Sequence, residues 1–419
     1  MSEPVAPFDS QTIARLDAED RLADYREAFA WPDDRDLVYF DGNSLGPPPR
    51  AALLAVQTEL ERWRDHLIGG WNERWLALIE ESSEALAPIV GAAVGTVRVT
   101  DSTSVCLSKL ARAALALRPD RPDILSERGN FPTDLYVLDA AARSAGGRLR
   151  RIKAEPTPAD VDAALDERVG LVSCSHVDFR SGALLDLPGI TRVVHQRGAR
   201  MLWDLSHSGG AVPVELHDHD VDLAVGCTYK YLNGGPGAPA YLVVHPELIE
   251  RLVSPIPGWF GHAEPFAMEE RYRPAPGIDR FLAGTPPVLS LAGAQAGIEL
   301  VASAGIERIR AKSLALSRLG IALADRWLAP LGFELVTPRA EEHRGGQLAL
   351  RHPEARRITA LLLTEYEVVP DFRTPDILRL GLSPLLLRFA DVVEGFRRIR
   401  DAVASGRHTA YPDELGRVT

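Results

Sequence analysis

The stretch Val221-Asp-Leu-Ala-Val-Gly-Cys-Thr-Tyr-Lys-Tyr-Leu-Asn-Gly-Gly-Pro-Gly237 runs from a mostly apolar strand through a polar loop into a glycine-rich turn, and a second apolar run, Ala240–Val244, follows at once. Upstream, β-prone runs recur at Val97–Thr100, Asp123–Ser126, Leu149–Ile152, Gly170–Cys174 and Arg200–Trp203. Helical patterns such as Leu107–Leu117, Thr133–Ser144 and Pro158–Leu165 fall between most of them, the last capped by Thr157-Pro158. Repeated β-α units predict an α/β fold whose large domain holds a mainly parallel, doubly wound, seven-stranded sheet.

Working outward, a Pro/Gly-rich segment from Pro255 to Pro287 ends the pattern. Beyond it a long helical run, about Leu289 to Leu328 and expected to be broken, leads to strands near Phe333–Val336, Gln347–Arg351 and Leu378–Leu382. A closing helix near Phe389–Ala404 completes what reads as a smaller α+β domain. Residues 1–50 are polar and end in the turn-rich Asp41-Gly-Asn-Ser-Leu-Gly-Pro-Pro-Pro49. An amphipathic helix with Leu53, Leu54, Leu60, Trp63 and Leu67 near the helical period follows from Ala51. The division expected is an arm, 1–50, that joins the small domain, a large domain, 51–285, and a small domain, 286–419.

Composition narrows the function. The formal charge is −11 over 419 residues, with a pI near 5.5, which argues against a nucleic-acid partner. Three cysteines, far apart and without a CxxC pair, exclude a disulfide framework and a zinc knuckle and point to a reducing compartment. No basic-then-apolar signal is visible in Met1–Gln11, and the longest apolar run, near Ala87 to Val97, is about half the roughly 20 residues a membrane helix needs. A soluble, cytoplasmic protein with no membrane partner and no metal is the expectation. Of the 47 basic residues only four are lysines, Lys109, Lys153, Lys230 and Lys312. Arginine stays protonated and cannot form a Schiff base, so an amine nucleophile has four candidates.

Sheets of this kind bind ligands beyond the carboxyl ends of their strands. Four polar clusters fall there. Thr100-Asp-Ser-Thr-Ser104 opens a helix and reads as an anion site, or as plain N-capping. Phe131-Pro-Thr-Asp134 offers an aromatic to stack and a carboxylate, or an ordinary helix start. Trp203-Asp-Leu-Ser-His207 ends an apolar strand on Asp204, a partly buried carboxylate in need of a partner or a capping Asp. The fourth holds Lys230 in a confined setting suited to desolvation. Lys312 in a charged helix, Lys153 at a strand edge and Lys109 on a helix face are expected to be solvated, which leaves Lys230 as the outlier. Order and spacing of the clusters match pyridoxal phosphate, with the Schiff base on Lys230 and Asp204 holding the pyridine nitrogen protonated.

The runs Tyr39-Phe-Asp-Gly-Asn-Ser-Leu-Gly46, Phe131-Pro-Thr-Asp134, Trp203-Asp-Leu-Ser-His207, Cys227-Thr-Tyr-Lys-Tyr-Leu-Asn-Gly-Gly235, Gly258-Trp-Phe-Gly-His262 and Pro370-Asp-Phe-Arg373 resemble, in order, those of the kynureninases. These are fold-type-I pyridoxal-phosphate enzymes, aspartate-aminotransferase-like, of the aminotransferase class V group. The resemblance implies that Thr103 and Ser104 bind the phosphate or ring edge, and that Phe131 stacks on the ring with Asp134 nearby. It further implies that Ser175, Asp204 and His207 hold the ring and its substituents. Tyr229 would contact phosphate and move a proton beside Lys230. Trp259 and Thr285 would reach the cofactor across a homodimer interface, Arg379 would clamp the substrate α-carboxylate, and Asn43 would meet the substrate. Two departures stand out: Cys106 where asparagine is usual, and Asp178-Phe-Arg-Ser-Gly182 in place of an Asn-Tyr-Arg/Lys-Thr-Gly run.

The implied reaction is hydrolysis of L-kynurenine, or its 3-hydroxy derivative, to anthranilate or 3-hydroxyanthranilate and L-alanine in tryptophan catabolism. The alternatives are a cysteine desulfurase or selenocysteine lyase, which needs a reactive cysteine on a mobile loop, an aminotransferase, and an inert homologue that acts as a binding protein.

Overall fold

The structure, a computed structural model, describes residues 9–32 and 36–412. Residues 1–8 and 33–35 of the expected arm, and 413–419 of the expected small domain, lie outside the described residues.

Thirteen strands form in chain order: β1 Val38–Tyr39, β2 Val97–Thr100, β3 Asp123–Glu127, β4 Leu149–Ile152, β5 Val169–Ser175, β6 Arg200–Asp204, β7 Leu223–Cys227, β8 Ala240–Val244, β9 Glu334–Leu335, β10 Gln347–Arg351, β11 Val368–Val369, β12 Asp371–Arg373 and β13 Ile377–Gly381. A seven-stranded sheet has the order β2-β8-β7-β6-β5-β3-β4. Only β8 runs against the rest, because the glycine-rich turn after β7 brings the chain straight back without a crossover helix. Every residue of β2, β3, β5, β7 and β8 is buried, as expected where helices cover both faces of a parallel sheet. Their near-continuous apolar runs are what the sequence pattern detects.

A second, antiparallel sheet has the order β12-β13-β10-β9, and β1 pairs in parallel with β11. Phe40, next to β1, is fully buried and packs edge-on to Phe396 of the closing helix Phe389–Ala404. The residues after Pro287 form two helices, Val288–Ala304 and Ile306–Leu323, parted at Gly305, whose φ of +80° suits glycine. Among the described residues, no single helix is long and apolar enough to cross a membrane.

Two expectations change. The helix Arg50–His66 forms, but Leu53, Leu54, Leu60 and Trp63 face outward, Trp63 at 58% exposure, while its other side packs on Val288–Ala304. Its apolar stripe is therefore not core. The setting of the lysines also differs from the expectation. Lys109 is fully buried and donates to Asp101 Oδ2 at 2.5 Å and to the Phe281 carbonyl at 2.6 Å. Lys312 is buried against Asp20 at 2.6 Å. Only Lys153 is solvated, its side chain 55% exposed beside Asp160. Charged neighbours along a helix do not reveal a partner acid some 290 positions away, and a buried ammonium is stable only with such a partner.

Candidate active site

The candidate residues gather at the carboxyl ends of the parallel strands. Thr103 and Ser104 begin the helix that follows β2, Phe131 and Asp134 begin the one after β3, Ser175 ends β5, Asp204 ends β6 with His207 just beyond, and Tyr229 and Lys230 follow β7. All nine line one cavity of about 160 Å³, together with Ser102, Phe179 and Ser206.

Lys230 is half-buried and its Nζ lies 2.9 Å from His207 Nε2. Among the described residues it is the one lysine without a carboxylate within ion-pair distance; the other three pair with Asp101, Asp160 and Asp20. The nature of the partner, more than burial, sets Lys230 apart: a neutral imidazole leaves the amine free to react. Burial holds His207 well below the ordinary histidine range, and the charges of Lys230 and Arg379 push it the same way.

Three buried acids, Asp134, Asp204 and Glu127, interact electrostatically in and behind the cavity wall. Asp204 accepts the Ser206 N–H at 2.7 Å. Burial raises Asp134 far above the carboxylate range, with Asp204 next in effect, and its Oδ2 has no hydrogen-bond partner. Glu127, raised to about 7 by burial, accepts the Ser175 N–H at 2.9 Å. Asn130 ties the cavity wall together: its Oδ1 accepts from Phe131 N at 2.6 Å and Ser175 Oγ at 2.8 Å, and its Nδ2 donates to Ser126 Oγ at 3.1 Å. Phe131 is 43% exposed at the mouth and meets Phe179 edge-on at 5.3 Å.

The arm packs against the backbone of Tyr229 and Lys230. Gly46 donates to the Tyr229 carbonyl, and a Cβ there would lie 2.4 Å from the Lys230 carbonyl oxygen, so only glycine allows this approach. Arg379, on β13, is fully buried and does not line the cavity. It pairs with Asp371, donates to the Phe179 carbonyl, and reaches Ser44 Oγ at 2.9 Å. The Asn43 amide lies between the Arg379 guanidinium, 2.7 Å from its Nε, and Gln347, where its Nδ2 donates to Gln347 Oε1 at 3.1 Å. Trp259 and Thr285 are exposed and lie apart from this chain's cavity.

The two departures are accommodated. Cys106 donates from its thiol to the Thr100 carbonyl at 3.4 Å. Asp178 caps its own turn, accepting from Ser181 N at 2.7 Å, which aims the Phe179 carbonyl at β10 and β13. Glu127, Asn130 and Gln347 escaped the sequence reading. Gln347, a polar residue opening the apolar Gln347-Leu-Ala-Leu run, carried a usable signal, because a buried amide needs partners.

The residues fit a phosphorylated pyridine aldehyde. The helix Thr103–Ala116 starts without a side-chain cap, so its N–H groups and hydroxyls are free for an anion. The unpartnered Asp134 Oδ2 beside Asp204 suits a ring N–H, and Lys230 suits the aldehyde.

Fold and cavity together define an α/β enzyme of fold type I. Its backbone superposes on C-DES, solved with glycine covalently linked to its pyridoxal phosphate, with a TM-score of 0.78, 20% identity and coverage of 90% of this chain and 99% of that one. A cysteine desulfurase from Thermococcus onnurineus NA1 matches at a TM-score of 0.76 and 18% identity over 97% of this chain and 100% of its own. The chain belongs to the kynureninase family: it is 43% identical to the kynureninase of Burkholderia pseudomallei (strain 1106a) over 392 residues, 92% of this chain and 93% of that one. Residues 309–399 match the kynureninase C-terminal domain.

Proposed function

We propose that this chain hydrolyses L-kynurenine, or 3-hydroxy-L-kynurenine, to anthranilate, or 3-hydroxyanthranilate, and L-alanine, with pyridoxal phosphate as cofactor. The observation that carries this reading is Lys230 held 2.9 Å from a neutral imidazole above a buried acid pair, in a chain of this family. When bound through Lys230, the cofactor supplies an electron-accepting ring conjugated to the substrate amine. Asp204 holds the proton on the ring nitrogen, Asp134 beside it. Lys230 is the base that would take the α-proton. Tyr229, held above the ordinary tyrosine range by Cys227 and by burial, stays protonated and serves as the acid group where water adds to the γ-carbonyl. Arg379 and Asn43 are assigned the α-carboxylate, a role that requires the guanidinium to turn from Asp371 toward the cavity it does not line in this structure. Thr103 and Ser104 bind the phosphate, Phe131 stacks on the ring, and Ser175 and His207 hold its substituents.

The assembly we propose is a homodimer in which Trp259 and Thr285 of a second copy complete each site. Leu53, Leu54, Trp63, Leu67 and Ile68 supply an apolar face for it, Ile68 reaching 80% exposure. The arm (1–50), large (51–285) and small (286–419) divisions are our reading of the two sheets, supported by the pairing of β1 with β11. A place in tryptophan catabolism and NAD biosynthesis in the cytoplasm follows from the same reading. Desulfurase chemistry has no reactive thiol to use, because Cys106, Cys174 and Cys227 are all buried and burial raises each thiol. Purified protein with added pyridoxal phosphate is expected to release fluorescent anthranilate and alanine in equal amounts from kynurenine, without a 2-oxoacid. No release, or release only with a 2-oxoacid, overturns the reading.

A further inference from the structure

Gln347 opens β10 and is fully buried. Its amide Nε2 faces two main-chain acceptors, the Phe179 carbonyl at 3.0 Å and the Asp178 carbonyl at 3.3 Å. A carbonyl can only accept, so the amide nitrogen must point there and Oε1 must point the other way. On that side Oε1 accepts from Asn43 Nδ2 at 3.1 Å and faces His207 Nδ1, also at 3.1 Å, and across the same ring Nε2 faces Lys230 Nζ at 2.9 Å. We propose that Gln347 is a positioning residue that fixes His207 as its Nδ1–H tautomer and so presents the Nε2 lone pair to Lys230.

The opposite tautomer would set the Nδ1 lone pair against the Gln347 oxygen and an N–H against the lysine ammonium, two repulsive contacts in a buried place. A third ionic form is disfavoured, because Lys230, Arg379 and Arg373 all act on His207 as positive charges and burial works in the same direction. The ring has one proton to place, and Gln347 decides where it goes.

The consequence reaches the lysine whenever it carries a free amino group. An imidazole that only accepts takes one N–H of Lys230 and orients its remaining valences toward the cavity. The device is tied to the carboxylate end of the site. Ala349, two residues along β10, pairs with Arg379 on β13, and the Phe179 carbonyl accepts from both Gln347 and Arg379. The acceptor for Lys230 and the guanidinium thus hang from one strand pair. This deepens the reading of Lys230 as the reactive amine and rests on it only for that consequence.

The test is the ring nitrogen spectrum of ¹⁵N-histidine-labelled, full-length protein, first without and then with pyridoxal phosphate, with His207 assigned by its loss in His207→Gln. In the unloaded wild type the expected pattern has Nδ1 protonated and Nε2 bare. An Nε2–H or doubly protonated ring overturns the proposal, and this measurement needs no Gln347 variant. In Gln347→Leu the Nδ1–H pattern should give way to, or be joined by, the Nε2–H pattern, read on protein whose cooperative thermal transition, lowered by the lost amide bonds, shows that it is folded. A folded Gln347→Leu protein with an unchanged tautomer also overturns it. No substrate is present in these spectra, so a failure to turn over kynurenine would count against the function and leave the tautomer result standing.

Discussion

The backbone N–H of Gly46 donates to the carbonyl oxygen of Tyr229 at 2.8 Å, pinning the arm to the residue that precedes Lys230. A Cβ at position 46 would meet the Lys230 carbonyl oxygen at 2.4 Å and Asn233 Cα at 2.8 Å, both backbone atoms. Gly46→Ala should therefore cost about 1–3 kcal/mol of stability by overpacking and move the reactive lysine. Urea unfolding and kcat measured on the same preparation check this. Unchanged values for both would mean the arm yields freely.

The four lysines separate by function. Lys230→Ala should abolish turnover and the visible absorbance of the cofactor-loaded protein, with stability nearly unchanged. Lys109→Ala and Lys312→Ala should keep the absorbance and lose about 3–5 kcal/mol of stability, since Asp101 and Asp20 are left without their partners. Parallel spectra and denaturation curves distinguish the two kinds of loss.

Glu127 and Asp41 are each raised to about 7, chiefly by burial. A carboxyl whose folded value is raised binds its proton more tightly in the fold. Its contribution is complete below the ordinary carboxylate range and is lost as pH rises through about 7. Stability should accordingly fall between about pH 4 and pH 7 and level off above, with Glu127 accounting for a change on the order of 3 kcal/mol. Glu127→Gln keeps the acceptor for Ser175 N–H and should flatten this fall. Equal slopes for the two proteins in urea titrations at several pH values would refute the assignment.

Arg379→Lys removes the planar fork while keeping the charge. The loss of one charge-assisted hydrogen bond, about 1.5–3 kcal/mol, should lower kcat/KM roughly 10- to 100-fold. The effect should fall mainly on KM, and steady-state kinetics at saturating cofactor give the split.

Leu54→Glu together with Trp63→Glu should yield a monomer by sedimentation, with most activity lost if a second copy supplies Trp259 and Thr285. Both side chains are exposed in the single chain, so the substitutions should leave monomer stability nearly unchanged.

The large sheet was legible because its strands are buried on both faces and read as uniform apolar runs between helices. β1 and β11, with two residues each, carry no period to detect and exist only because they pair with each other across more than 300 positions. The nine cavity residues were legible because they end strands or open helices, the places where such sheets bind ligands. Asn130 and Gln347 were not, because each acts through partners that the fold alone brings near. Lys312 differs from expectation for the same reason, whereas the acid beside Lys109, Asp101, lies only eight positions away.

The pairing of β1 with β11 also fixes an order of events during synthesis. Lys230 leaves the ribosome long before Gln347, Val368 and Arg379 exist, and β1 has no strand to pair with until Val368 and Val369, some 330 residues later, are made. A nascent chain that ends before β10 lacks the groups that orient His207 and seat the arm, so the site in this form is assembled only after β10–β13 are made.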